Sequence, residues 1–127
     1  MSWRADPLAV RAAEQLRLIG LARSYIEALG RRLPLSAAAV GGSVARGDFN
    51  VWSDVDVVVV SDSLPEPGRE RDALLGLDAA ARVEPHGYTT PEFRRALERG
   101  DRLAVETADG GLSLVGQLPR PQRRAAR

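Results

Sequence analysis

Two carboxylates one residue apart, Asp54 and Asp56, stand at the head of the most strand-like run in the chain, Val55 to Val60. Alternation along a strand sends both acids to one side, roughly 6–7 Å apart. At that distance they repel by about 2–3 kcal/mol for an effective dielectric of about 20. Such a pair on an apolar strand calls for a compensating cation, and a hard divalent ion such as magnesium, completed by phosphate oxygens and water, suits it. The bland alternative makes Asp54 a turn residue beside Ser53 and Asp56 a frayed strand end, no more meaningful than Glu70 and Asp72 at the same spacing on a solvated helix. Upstream, Gly41-Gly42-Ser43 closes a predicted strand and opens a turn. Backbone N–H groups can converge there on an anion, glycine lets phosphate approach closely, and the Ser43 hydroxyl offers a further donor. Arg46 is placed either to neutralise phosphate charge or to form a surface salt bridge. Alone, the glycines read more readily as a strand terminator, with Ser43 as a helix cap.

The elements that must hold these residues are readable from pattern. Asp6-Pro7 is a cap followed by proline at the first helical position. Leu8, Ala12, Leu16, Ile19, Ala22, Ile26 and Leu29 then form an apolar stripe on a helix that stops near Gly30. Leu35 to Val40 is a short buried strand, and residues 43–50 a turn with at most a short helix. Val55 to Val60, with valine at five of six positions, predicts a central strand covered on both faces. After the break at Pro65-Glu66-Pro67-Gly68 come a helix over 71–80, a brief strand over 81–84 closed by Pro85, and a helix from Thr90-Pro91 to about Arg99. A short helix over 103–108 and an edge strand over 112–115 complete the order. The fold class is α/β or α+β, a small central mixed sheet flanked by helices.

Read together, Gly42-Ser43-Val44-Ala45-Arg46-Gly47-Asp48 and Ser53-Asp54-Val55-Asp56-Val57-Val58-Val59 resemble the signature of the nucleotidyltransferase superfamily, the polymerase-β-like fold, and most of all its minimal prokaryotic members. Their pattern is Gly-Ser, often Ala-Arg-Gly, about ten residues, then Ser-Asp-x-Asp before an apolar strand; ten residues separate Ser43 from Asp54 here. The motif block covers 40–60, and the element order extends the likeness to about 8–116. The resemblance implies that Gly42 and Ser43 hold the triphosphate, with Arg46 as a further nucleotide-binding candidate. It implies that Asp54 and Asp56 bind two magnesium ions, and that a nucleoside monophosphate passes from NTP, with ATP the first choice, to an acceptor hydroxyl. The family usually adds a third carboxylate from the following strand. Only Glu84, in Arg82-Val83-Glu84-Pro85, is placed for it, and a surface position at a strand end is the other reading. His86, in a turn just past Pro85, is read as structural or solvated. Trp52 is read as packing against a neighbouring element, with stacking on a base as the alternative.

Composition bounds the rest. The 127 residues fit one domain, assigned to 1–117, with an Arg- and Pro-rich tail over 118–127 expected to be disordered. Eighteen basic and seventeen acidic side chains leave a net charge of +1, which gives no electrostatic case for nucleic acid or a membrane as the main partner. Every basic residue of the eighteen is arginine. The absence of cysteine excludes disulfides and thiolate metal sites. No apolar run approaches the length of a membrane span, and a cytoplasmic location is the default. The resemblance adds a whole-protein expectation. Comparable small proteins are often encoded beside an all-helical partner and act as the antitoxin of a toxin–antitoxin pair, some by transferring AMP to that partner. Acceptor recognition would come from such a partner or from a second copy. The alternatives are a catalytically weak or inactive nucleotide- or partner-binding module of the same fold, or a small-molecule transferase of the antibiotic-modifying kind.

Overall fold

The computed structural model describes residues 6–121. Five helices and four strands follow one another along them: α1 (Pro7–Gly30), β1 (Ala37–Gly41), α2 (Gly42–Arg46), β2 (Val55–Val60), α3 (Arg69–Gly76), β3 (Val83–Tyr88), α4 (Thr90–Glu98), α5 (Arg102–Gly110) and β4 (Leu112–Val115). The strands form one mixed sheet in the order β3-β2-β1-β4. β1 runs antiparallel to β2 and β4, and β2 runs parallel to β3. This is the expected α/β architecture, with β2 inside the sheet.

Alternation along the strands feeds two cores. Val55, Val57 and Val59 of β2, with Ala38 and Val40 of β1, meet Leu18, Ala22, Tyr25, Ile26 and Leu29 of α1 and Leu75 of α3. On the opposite face Val58, Val60 and Ala37 meet Phe93 and Ala96 of α4 and Ala104 of α5. Each fully buried valine or leucine is worth about 1.5–3 kcal/mol, so a strand buried on both sides is a strong organiser of the fold. The alanines of β1 let the helices come close to the sheet. Tyr25 adds a polar tie, its hydroxyl donating to the Leu75 carbonyl at 2.6 Å.

The stripe expected on α1 needs correction in its first half. Leu8 and Leu16 are 77% and 70% exposed, whereas Leu18 is fully buried. Those turns pack on the loop after α2 and not on the sheet. Arg11 donates through Nε to the Gly47 carbonyl at 3.1 Å and through Nη2 to the Phe49 carbonyl, and Gln15 donates to the Val44 carbonyl at 2.7 Å. Polar side chains thus occupy the inward face there.

The strand expected to close at Pro85 runs on instead to Tyr88. β3 is the outer strand, so it needs hydrogen bonds on one side only, and a proline lacking its N–H is tolerated there. The third helix is shorter than 71–80, ending at Gly76. At the C-terminal side Leu118 is partly buried against the second core. Residues 122–127, the greater part of the tail expected to be disordered, lie outside the described residues.

Candidate functional site

Strand β1 delivers the chain into the bend, and its last residue, Gly41, pairs directly with Asp56 across the sheet. Gly42 then adopts φ +62°, a left-handed conformation natural to glycine. A side chain there would also collide with the Asp56 carboxylate, so the bend and the acid are pressed together. At Gly41 a Cβ would strike Thr107 of α5. The two glycines therefore serve different ends: Gly41 admits α5, and Gly42 makes the turn against the acid. Ser43 follows as the second residue of the five-residue helix α2, partly exposed. Gly47 ends that helix at φ 85°.

The two acids of the motif are held differently. Strand β2 begins at Val55, so Asp54 lies in the preceding loop and is exposed. That loop is a built turn: Trp52 N–H donates to Asn50 Oδ1 at 2.8 Å, and Asn50 N–H donates to Ser53 Oγ at 2.9 Å. The Arg82 guanidinium takes the Ser53 carbonyl, at 3.2 Å from Nε and 2.5 Å from Nη2, a position a strand partner would otherwise fill. Asp56 is the first outward-facing residue within the strand and is half-buried. Parallel pairing sets Glu84 opposite Asp56 and His86 opposite Val58. Being two residues apart on β3, Glu84 and His86 share the Asp56 face.

These three side chains come together. His86 Nε2 lies 2.8 Å from Asp56 Oδ1 and 4.0 Å from Glu84 Oε1. One ligand atom from each of Asp56, Glu84 and His86 falls within 4.8 Å of the others. Among the described residues Asp54 is outside this group. The bond to Asp56, opposed by burial and helped by the charges of Asp56, Glu84 and Asp101, raises the His86 imidazole above its ordinary value. His86, expected in a turn as a structural or solvated residue, is instead a partly buried strand residue bonded to Asp56, for the same reason that β3 does not stop at Pro85. A signal was present: Val83-Glu84-Pro85-His86-Gly87-Tyr88 places an acid and the chain's single histidine at strand period.

Other predicted residues fall on either side of their alternatives. Arg46 is ion-paired, Nη1 to Glu106 at 2.7 Å and Nε to Asp48 at 3.1 Å, which ties α2 to α5. Trp52 is 87% exposed, contrary to the packing expected of it. Beside the bend a cavity of about 300 Å³ opens between Gly41, Gly42 and Arg46 on one side and Glu106 and Asp109 on the other. A larger groove of about 700 Å³ lies away from the acids, between α5, β4 and residues 117–121.

A glycine bend is thus set against a strand-borne acid, with a second acid in register on the neighbouring strand. The model of the nucleotidyltransferase domain family matches residues 22–103, from the middle of α1 to the start of α5. The chain belongs to this family, whose reaction is transfer of a nucleoside monophosphate. The fold is similar to the 1.40 Å crystal structure of a protein from Sulfolobus solfataricus described as a candidate nucleotidyltransferase, with a TM-score of 0.59 at 25% identity, covering 67% of this chain and 78% of that one. No curated protein sequence matches. Among the described residues no helix is long and apolar enough to cross a membrane.

Proposed function

We propose that the protein is a divalent-metal-dependent nucleotidyltransferase that moves NMP, with ATP the favoured donor, onto a hydroxyl of a protein or other acceptor. The observation that carries this reading is the contact of the Gly42 bend with Asp56, with Glu84 in register beside it. Gly42 and Ser43 would cradle the triphosphate through backbone N–H groups and the serine hydroxyl. Asp56 and Glu84 would hold a divalent ion, and the exposed Asp54 is free to turn in once phosphate arrives. Magnesium, the ion the family implies, fits the oxygens of this donor set. A bound ion would offset charge on the phosphates and acidify the acceptor hydroxyl. The acceptor oxygen forms a bond to the α-phosphorus, the bridge to pyrophosphate breaks, and the hydroxyl proton leaves toward the carboxylate side. The chain's own part is positioning and charge placement, which suffices for this chemistry.

The acceptor side is proposed from the surface. Val51 and Trp52, 75% and 87% exposed, flank the loop that leads to Asp54 and offer an apolar landing place. A helical partner encoded nearby, or a second copy, fits there, and the role of antitoxin follows if that partner is a toxin. Incubating the protein with α-labelled NTPs, magnesium and the neighbouring gene's product, then locating label by mass spectrometry, tests this. Label transfer lost in Asp54→Ala and Asp56→Ala supports the reading; nucleotide binding without transfer to any acceptor refutes it.

A second reading has its own support. The His86 imidazole at 2.8 Å from Asp56 would, when protonated, neutralise that acid without an ion. In that case the fold is a binding module, and the same incubation gives bound nucleotide and no label transfer.

A further inference from the structure

We propose that His86 is itself a ligand of the divalent ion, so that Asp56, Glu84 and His86 form a mixed oxygen–nitrogen set that takes a first-row transition ion such as manganese in preference to magnesium. This rests on the metal-dependent reading above and adds the identity of a ligand and of the ion.

The geometry carries it. Two atoms each about 2.1 Å from one ion can stand no more than about 4.2 Å apart. His86 Nε2 meets that limit with both acids, at 2.8 Å from Asp56 Oδ1 and 4.0 Å from Glu84 Oε1. The three ligand atoms span at most 4.8 Å, and the Glu84 side chain, 54% exposed, has room to close the remainder. His86 reaches this place through β3: the strand continues past Pro85 and returns the imidazole to the Asp56 face. Nε2 and Asp56 Oδ1 stand close enough to be neighbouring ligands of one ion placed beside, and not on, the line that joins them. Gly42, which is pressed against Asp56, also lines the neighbouring cavity, and Glu84, 54% exposed, gives the set a side open to water.

Ligand chemistry then decides among ions. Magnesium demands oxygen in near-ideal octahedral array and gives up water reluctantly. An imidazole nitrogen adds most affinity for zinc, nickel and iron, a smaller increment for manganese, and least for magnesium. Replacing one oxygen of an acidic set by Nε2 therefore tilts the site away from magnesium.

The test uses the full chain with Mn2+ alone, since adenine nitrogen would confuse the signal. Pulsed electron paramagnetic resonance should show nitrogen modulation typical of one imidazole, and the chain's single histidine makes that signal assignable without a variant. His86→Ala and His86→Asn should both lose the modulation, and Mn2+ affinity should fall by about tenfold or more while Mg2+ affinity moves far less. Mn2+ bound without nitrogen coupling overturns the inference and leaves metal-dependent transfer standing. Failure of the wild-type chain to bind either Mn2+ or Mg2+ overturns both.

Discussion

Beyond the C-terminal end of β3, Glu92 accepts from Arg71 Nη1 at 2.8 Å and from the Thr89 backbone N–H at 2.7 Å, while Arg71 Nε donates to the Pro65 carbonyl at 2.7 Å. Arg71 is buried, and the pair locks α3 to the capping box of α4. Around the first half of the same strand, Asp56 meets only His86 among the described residues, Glu84 stands more than half exposed, and Asp54 projects from a loop. One cluster saturates its charges, and the other leaves carboxylate oxygens over beside a glycine bend. Charges that are buried and fully bonded hold elements together. Half-exposed acids with unspent lone pairs are where a ligand's charge can be met. Both clusters contain acids, but only the first matches its acid with a buried arginine, so charge balance, partners and exposure together distinguish architecture from site.

Substitutions in each cluster should separate these roles. The largest effect is expected for Asp56→Asn: transfer should fall by about a thousandfold, the scale of losing a key electrostatic stabiliser, with the midpoint of thermal unfolding little changed. Arg71→Ala should do the reverse. Leaving Glu92 without its partner should cost about 3 kcal/mol in denaturant titrations, while the folded fraction keeps its turnover. Gly42→Ala should be intermediate, since it forces φ +62° on a side chain and pushes on Asp56. A stability loss of about 1–2 kcal/mol should come with weakened triphosphate binding.

The smallest effect expected is a pH dependence. Burial pushes the Glu92 carboxyl up, but the bonds from Arg71 and Thr89 outweigh it and hold the group below its ordinary range. A depressed folded value means that the contribution is present above the unfolded value and lost as pH falls through the folded one. The stability gap between wild type and Glu92→Gln should therefore be constant near neutrality and narrow below about pH 4. A gap that widens in acid would place Glu92 among the unspent acids instead.

What was legible in the sequence was what lies close along the chain. Gly42-Ser43 and Asp54-Val55-Asp56 are local strings, and the valine run announces a doubly covered strand. The bend's contact with Asp56 follows from an antiparallel return between β1 and β2. What was missed depends on neighbours. Pro85 reads as a stop until β3 is known to be an outer strand, and without that the partnership of His86 with Asp56 stays hidden. The phase of α1 is not legible in its first half because those turns face α2 and the loop after it, where Arg11 and Gln15 spend donors on carbonyls and Leu8 and Leu16 are turned outward. Periodicity in a sequence records apolar positions, not the element that each faces.

Whether the Gly42 bend and Asp56 grip phosphate and divalent ion together is tested most directly by calorimetric titration of nucleoside triphosphate with and without the ion. Binding should require the divalent ion and should weaken by at least about tenfold in both Asp56→Asn and Gly42→Ala. Triphosphate that binds equally well with the ion chelated, or that ignores both substitutions, would contradict the account.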